Sequence, residues 1–232
     1  MRLLCLHGLG TNSQIFKVQT AAIRYELGES HDYDFVEGCV PWSTAPEIKP
    51  LHPTPSPSST FTYYNPTSPP SIHRALSDLH TYLETEGPFD GLLGFSIGAS
   101  LAASFIAHKP AAELPIKCAI LLSPAPLVDP LTLDQGRGSI RFLDPLVDGE
   151  VIEIPTAVVW GGEDGVLGGY GGAGVVGLCK GGKGVEYVHA GGHEVPGSGG
   201  VAGLNGAVKM IRRVIDMVRR EEEGAAAGQV AS

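Results

Sequence analysis

Gly94-Phe95-Ser96-Ile97-Gly98 lies between an apolar run, Gly91 to Phe95, and a stretch of mostly small residues, Ala99 to Ala107. A short apolar run closed by glycine reads as a buried strand, and the segment after it as a helix. Glycines on both sides of Ser96 let the chain turn sharply between the two. A serine in a G-x-S-x-G turn of this kind is lifted above the edge of a sheet, where its hydroxyl can act as a nucleophile. The alternative is a plain serine capping the helix that follows. With 32 glycines in 232 residues, the pattern is expected by chance about 0.3 times. Its meaning therefore rests on the rest of the chain.

A chain of 232 residues suits one sizeable α/β domain, and a hydrophobic fraction of 43% supplies a core. No apolar run approaches the roughly 18 residues of a membrane span. Met1-Arg2 runs straight into Leu3-Leu4-Cys5-Leu6 and is broken at Gly8 and Gly10, too soon for a secretory signal. The expectation is a cytoplasmic protein. Cys5, Cys39, Cys118 and Cys179 form no C-x-x-C pair and read mostly as reduced core residues. No histidine and acid cluster has metal-ligand spacing. A formal charge of −9 argues against nucleic acid as a partner.

Outward from the serine, the pattern is one of strands alternating with helices. Strands are expected over residues 2–6, 33–37, 90–95, 116–122, 155–160 and 185–189. Ile72, Ala75, Leu76, Leu79 and Leu83 make a one-sided helical stripe, and Leu204 to Val218 an amphipathic helix with its arginines outside. The segment after Ser96 has no polar face, as a buried helix requires. This predicts a mostly parallel six-stranded sheet with helices on both faces, within one domain spanning 1–220, and a disordered tail over 221–232. Residues 41–70 hold nine of the 18 prolines together with Trp42, Phe61, Tyr63 and Tyr64. Proline at that density opposes helix and central strand alike. The segment is either a surface excursion or a lid-like wall over a pocket, and its aromatics favour the wall. Trp42, Tyr63 and Tyr64 are then substrate-binding candidates, with Leu127 from the irregular stretch 124–150, whose apolar residues line a pocket or simply pack.

Acyl transfer by a serine needs a base for its proton, a carboxylate to hold that base, and N–H donors for the oxyanion. His193 follows the last expected strand by four residues on a glycine-rich approach and is the candidate base. Asp164 turns off the 155–160 strand and is the candidate acid, with Glu163 its neighbour and Asp144 or Asp148 more remote alternatives. The order Ser, acid, His is that of α/β-hydrolases. The backbone N–H groups of Ile97 and Leu9 are the candidate oxyanion donors. His7 is assigned to ordering the first loop. Gly172-x-Gly174-x-x-Gly177 fits a dinucleotide fingerprint, but no strand precedes it. Gly8-x-Gly10-x-x-Ser13 lacks the third small residue, and Gly177 to Gly184 lacks the hydroxyl of a phosphate loop. No cofactor is expected.

The chain resembles the fungal family serine hydrolase group, short α/β-hydrolases that include polyketide-releasing thioesterases and are related to the ovarian-cancer-associated hydrolase of animals. The resemblance is carried by Leu6-His7-Gly8 with Asn12, by Phe89-Asp90-Gly91 leading to Gly94-Phe95-Ser96 and Gly98-Ala99, by Ile154-Pro155-Thr156 before Gly162 and Asp164, and by Gly191-Gly192-His193-Glu194-Val195-Pro196. Ile97 stands where the family often has Gln. The resemblance implies an α/β-hydrolase fold, hydrolysis through an acyl-Ser96 intermediate without a cofactor, and a Pro-rich segment covering the acyl site. It further implies a thioesterase that releases a polyketide or fatty acyl chain from an acyl carrier protein. A general carboxylesterase on small or lipid-like esters is the alternative, and a non-catalytic ligand-binding module on a hydrolase scaffold a further one.

Overall fold

Six strands make one wholly parallel sheet in the computed structural model, which describes residues 1–46, 59–134, 139–165, 172–197 and 203–230. In chain order these are β1 (Arg2–Leu6), β2 (Asp32–Val36), β5 (Gly91–Phe95), β6 (Cys118–Leu122), β7 (Thr156–Gly161) and β8 (Gly184–His189), laid side by side as β2-β1-β5-β6-β7-β8. The four inner strands read as near-continuous apolar runs because both their faces are covered. The edge strands β2 and β8 carry Asp32, Asp34 and Glu186 among their apolar residues.

Alternation along each strand sorts its side chains between two cores. Leu4 and Leu6 of β1, Leu92 of β5 and Leu121 of β6 join α3 (Pro69–Thr85) and α4 (Ile97–Ile106) on one face. Leu3, Cys5, Leu93, Phe95, Ile120 and Leu122 face the other way. There they meet Phe16 of α1 (Ser13–Gln19), Ile23 of α2 (Ala21–Leu27) and the apolar stripe of α8 (Leu204–Val230). The stripe on α3 is buried at Ile72, Ala75, Leu79 and Leu83, as its spacing predicts. All ten residues of α4 are buried.

Elsewhere the elements depart from expectation. The segment from Glu221, expected as a disordered tail, continues α8 to Val230 with its side chains exposed through Gly228. Lys117 pairs with Glu222 at 2.6 Å and Lys183 with Glu221 at 3.2 Å, tying the extension's first turn to the body. The Pro-rich segment 41–70 contains a small antiparallel pair, β3 (Val40–Pro41) with β4 (Phe61–Thr62), and its end starts α3. Its central part lies outside the described residues. Stretch 124–150 carries two short helices, α5 (Pro130–Asp134) and α6 (Pro145–Asp148), and the glycine tract forms α7 (Gly172–Gly177). The rejected dinucleotide pattern is therefore itself a helical turn. Among the described residues no helix is long and apolar enough to cross a membrane.

Backbone meets backbone where α4 begins. A Cβ on Gly98 would stand 2.4 Å from the Leu6 carbonyl oxygen and 2.6 Å from that of His7. A Cβ on Gly94 would stand 2.6 Å from the Ala99 backbone. Neither neighbour is a side chain that can swing aside. Gly98→Ala should therefore cost about 2–3 kcal/mol or more, whereas Gly174→Ala, with nothing within 4 Å, should change stability by under about 1 kcal/mol in the favourable direction. Urea unfolding of the two variants checks this.

Candidate active site

Four loops at the carboxyl ends of β1, β5, β7 and β8 converge here, which is where ligands bind in open parallel sheets. Ser96 follows β5 directly at φ 53° and ψ −117°. Its N–H donates to the Leu122 carbonyl at 3.0 Å, and its carbonyl accepts from Ser100 N–H at 2.9 Å. The side chain makes no capping bond to the helix. Its Oγ lies instead 2.9 Å from His193 Nε2. That disposes of the plain-cap reading.

His193 Nδ1 lies 2.7 Å from Asp164 Oδ2. A carboxylate oxygen only accepts, so the ring proton sits on Nδ1 and leaves the Nε2 lone pair for the serine hydroxyl. The imidazole also packs against the Phe95 ring, centroids 5.2 Å apart. The side chains of His193 and Asp164 are 11% and 7% exposed, so the pair is largely shielded from water.

The loops bearing acid and imidazole are laced together. Gly162 N–H donates to the His189 carbonyl at 2.8 Å, and Glu163 N–H to that of Gly191 at 3.0 Å. A Cβ on Gly161 would stand 2.2 Å from the carbonyl oxygens of both Gly191 and Gly192, so only glycine fits. The other acids are placed elsewhere. Glu163 is exposed, Asp148 is held by Arg141, and Asp144 caps α6 through the Leu146 N–H. His189, four residues before His193, accepts the Gly191 N–H at 3.1 Å and shapes the turn. Burial pushes its pKa down.

The chain has known relatives. The model of the family described as Serine hydrolase (FSH1) matches residues 1–201, a span that includes Ser96, Asp164 and His193. The chain belongs to this serine hydrolase family. The hydrolase is 39% identical over 200 residues to the esterase FPY3 of Fusarium mangiferae, a match covering 84% of this chain and 88% of that one. It is 35% identical over 132 residues to the hydrolase phiM of a fungal sp. (strain ATCC 74256), covering 54% of this chain and 57% of that one. Among solved structures, a carboxylesterase from Mesorhizobium loti superposes with a TM-score of 0.55 at 18% identity, covering 93% of this chain and 88% of that one. That likeness shows the α/β-hydrolase fold.

The four expected substrate-binding residues fall into two kinds. Tyr64 and Leu127 are buried in the core that α3 and α4 share, and the Tyr64 hydroxyl donates to Ser100 Oγ at 3.4 Å. Tyr63 binds backbone with its hydroxyl, accepting the His7 N–H at 2.8 Å and donating to the Val36 carbonyl at 3.0 Å. Burial holds its phenol well above the usual pKa, so it stays a neutral O–H able to do both. Tyr63 also borders a cleft of about 200 Å³, with Leu6, Val36, Leu79 and Leu101. Trp42 is half-buried in a segment that packs on the first loop, where Ala45 N–H donates to the Gly10 carbonyl at 2.9 Å. The backbone tie made by Tyr63 carries no signal in local sequence, since it joins residues 56 positions apart. Three of the four cysteines are buried; burial pushes the Cys118 and Cys179 thiols up to about 12. Among the described residues no cluster of three His, Cys, Asp or Glu side chains is placed to hold a metal.

Tyr63→Phe should cost roughly 1–3 kcal/mol by leaving the His7 N–H and the Val36 carbonyl unpaired. Chemical denaturation checks this, and a change in KM without loss of stability would show a substrate contact instead.

Proposed function

We propose that the hydrolase cleaves an ester or thioester through an acyl-Ser96 intermediate, with His193 as general base and acid and Asp164 as the group that holds it. The observation that carries this reading is the continuous line from Ser96 Oγ to His193 Nε2 at 2.9 Å and from His193 Nδ1 to Asp164 at 2.7 Å. In the first half-reaction Oγ attacks the acyl carbonyl carbon while its proton passes to Nε2. The tetrahedral oxyanion is met by the N–H groups of Ile97 and Leu9. Ile97 opens α4, so its N–H has no acceptor within the helix. A Cβ on Gly8 would stand 3.5 Å from Ser96 Cβ, which puts the loop of Leu9 beside the serine. Collapse breaks the bond to the leaving alcohol or thiol, which takes the proton from Nε2. Water then repeats the sequence on the acyl-serine and releases the acid.

For the substrate we favour an acyl chain carried as a thioester on a carrier protein, on the resemblance to polyketide-releasing thioesterases. The described ends of the Pro-rich segment support a covering role, since Phe61 N–H donates to the Thr11 carbonyl at 2.8 Å and Asn12 Nδ2 to the Ser59 carbonyl at 2.8 Å. Trp42 would then face the acyl group. A general carboxylesterase is the second reading, favoured by the esterase FPY3 as relative.

A fluorophosphonate probe should label the wild type and leave Ser96→Ala unlabelled. Asp164→Asn should lower kcat on the order of 10⁴-fold, because the amide favours the wrong tautomer of His193. Equal labelling of Ser96→Ala would exclude an acyl-serine route. Turnover of an acyl-carrier thioester against a free p-nitrophenyl ester, compared as kcat/KM, separates the two substrate readings.

A further inference from the structure

We propose that His7 and Thr11 are positioning residues that aim the Leu9 N–H at the oxyanion, an inference that rests on the acyl-serine reading above. The Gly8 carbonyl receives two hydrogen bonds. His7 Nδ1 lies 2.8 Å from it, and Thr11 Oγ1 donates to it at 2.8 Å. A carbonyl only accepts, so Nδ1 carries a proton. Nε2 faces the Gly38 N–H at 2.9 Å and Glu37 Oε1 at 3.0 Å. It serves the first as a lone pair in the neutral ring and the second as a donor in the charged one. In either form the Nδ1–H remains on Gly8.

The Gly8 carbonyl and the Leu9 N–H belong to one peptide unit, which is planar and trans. Its oxygen and its hydrogen point in opposite directions. Holding the oxygen toward His7 and Thr11, both buried, turns the hydrogen away from them. Among the described residues the Leu9 N–H makes no hydrogen bond of its own. It is a donor left available in a loop that is otherwise tied down. The His7 ring is itself held by Tyr63, centroids 4.8 Å apart, and the His7 N–H by the Tyr63 hydroxyl.

Two pairs of variants test this. Thr11→Val keeps the shape and removes the donor, while Thr11→Ser keeps the donor. His7→Asn leaves an amide N–H near the Nδ1 position; His7→Gln places its amide near Nε2 and loses the bond to Gly8. On p-nitrophenyl acetate, Thr11→Val and His7→Gln should lose kcat by about tenfold to a hundredfold, less than the roughly 10²–10³-fold seen when an oxyanion donor is removed outright, because the Leu9 N–H is misaimed but still present. KM should stay within about twofold. The affinity of phenylboronic acid, which mimics the tetrahedral state, should fall in step with kcat. Thr11→Ser and His7→Asn should stay near the wild type. Wild-type kcat in Thr11→Val overturns the proposal, as does an equal loss in Thr11→Val and Thr11→Ser that follows their melting temperatures. If Thr11→Val does not fold, the His7 pair decides by the same criteria. Wild-type protein without Ser96-dependent turnover would instead overturn the acyl-serine reading, and this inference with it.

Discussion

A helix cannot start immediately after a strand, with its first turn against the neighbouring strand's end, unless side chains are missing from the contact. Gly94 and Gly98 meet that condition on either side of Ser96. The serine between them takes a positive φ of 53°, which costs an L residue roughly 1–3 kcal/mol. What holds it there is the burial of all ten residues of α4 and the bonds of Ser96 N–H and carbonyl to Leu122, Ser100 and Ala125. The strain is imposed by the sheet and the buried helix together. Its result is a hydroxyl that points away from the helix it begins.

The imidazole of His193 and the carboxylate of Asp164 reach that hydroxyl as one unit. Asp164 and His193 stand 29 residues apart in the chain, yet the loops bearing them exchange backbone hydrogen bonds directly above the paired ends of β7 and β8. The close approach at Gly161 fixes their spacing. The geometry of the site thus depends on strand pairing at one edge and on glycine packing at the centre, and very little on the long connections between.

This explains what could be read from sequence. The inner strands announce themselves as short apolar runs because helices cover both faces, and Ser96, Asp164 and His193 each follow the end of a strand, β5, β7 and β8. Gly94 and Gly98 are legible because the turn around Ser96 restricts what may stand there, and His193 because it follows the last strand on a glycine-rich approach. The extension of α8 is not, since Glu221-Glu222-Glu223-Gly224 shows no apolar stripe and is attached by lysines that stand immediately before β6 and before β8. Nor is the use of Tyr63, whose aromatic ring in a Pro-rich stretch suggests a pocket wall while its hydroxyl serves two distant backbone groups. Such ties depend on tertiary proximity and leave no periodic trace.

The two proposed oxyanion donors present an asymmetry of the same origin. Ile97 opens a buried helix, so the direction of its N–H follows from the helix axis and needs no further support. Leu9 lies in irregular backbone, where a peptide plane is free to rotate unless something grips it. A side chain cannot grip an N–H that must remain available to substrate. It can grip the carbonyl at the other end of the same plane, and His7 and Thr11 are placed to do so. On this account the polar residues of the first loop are buried because the group they act through must stay open.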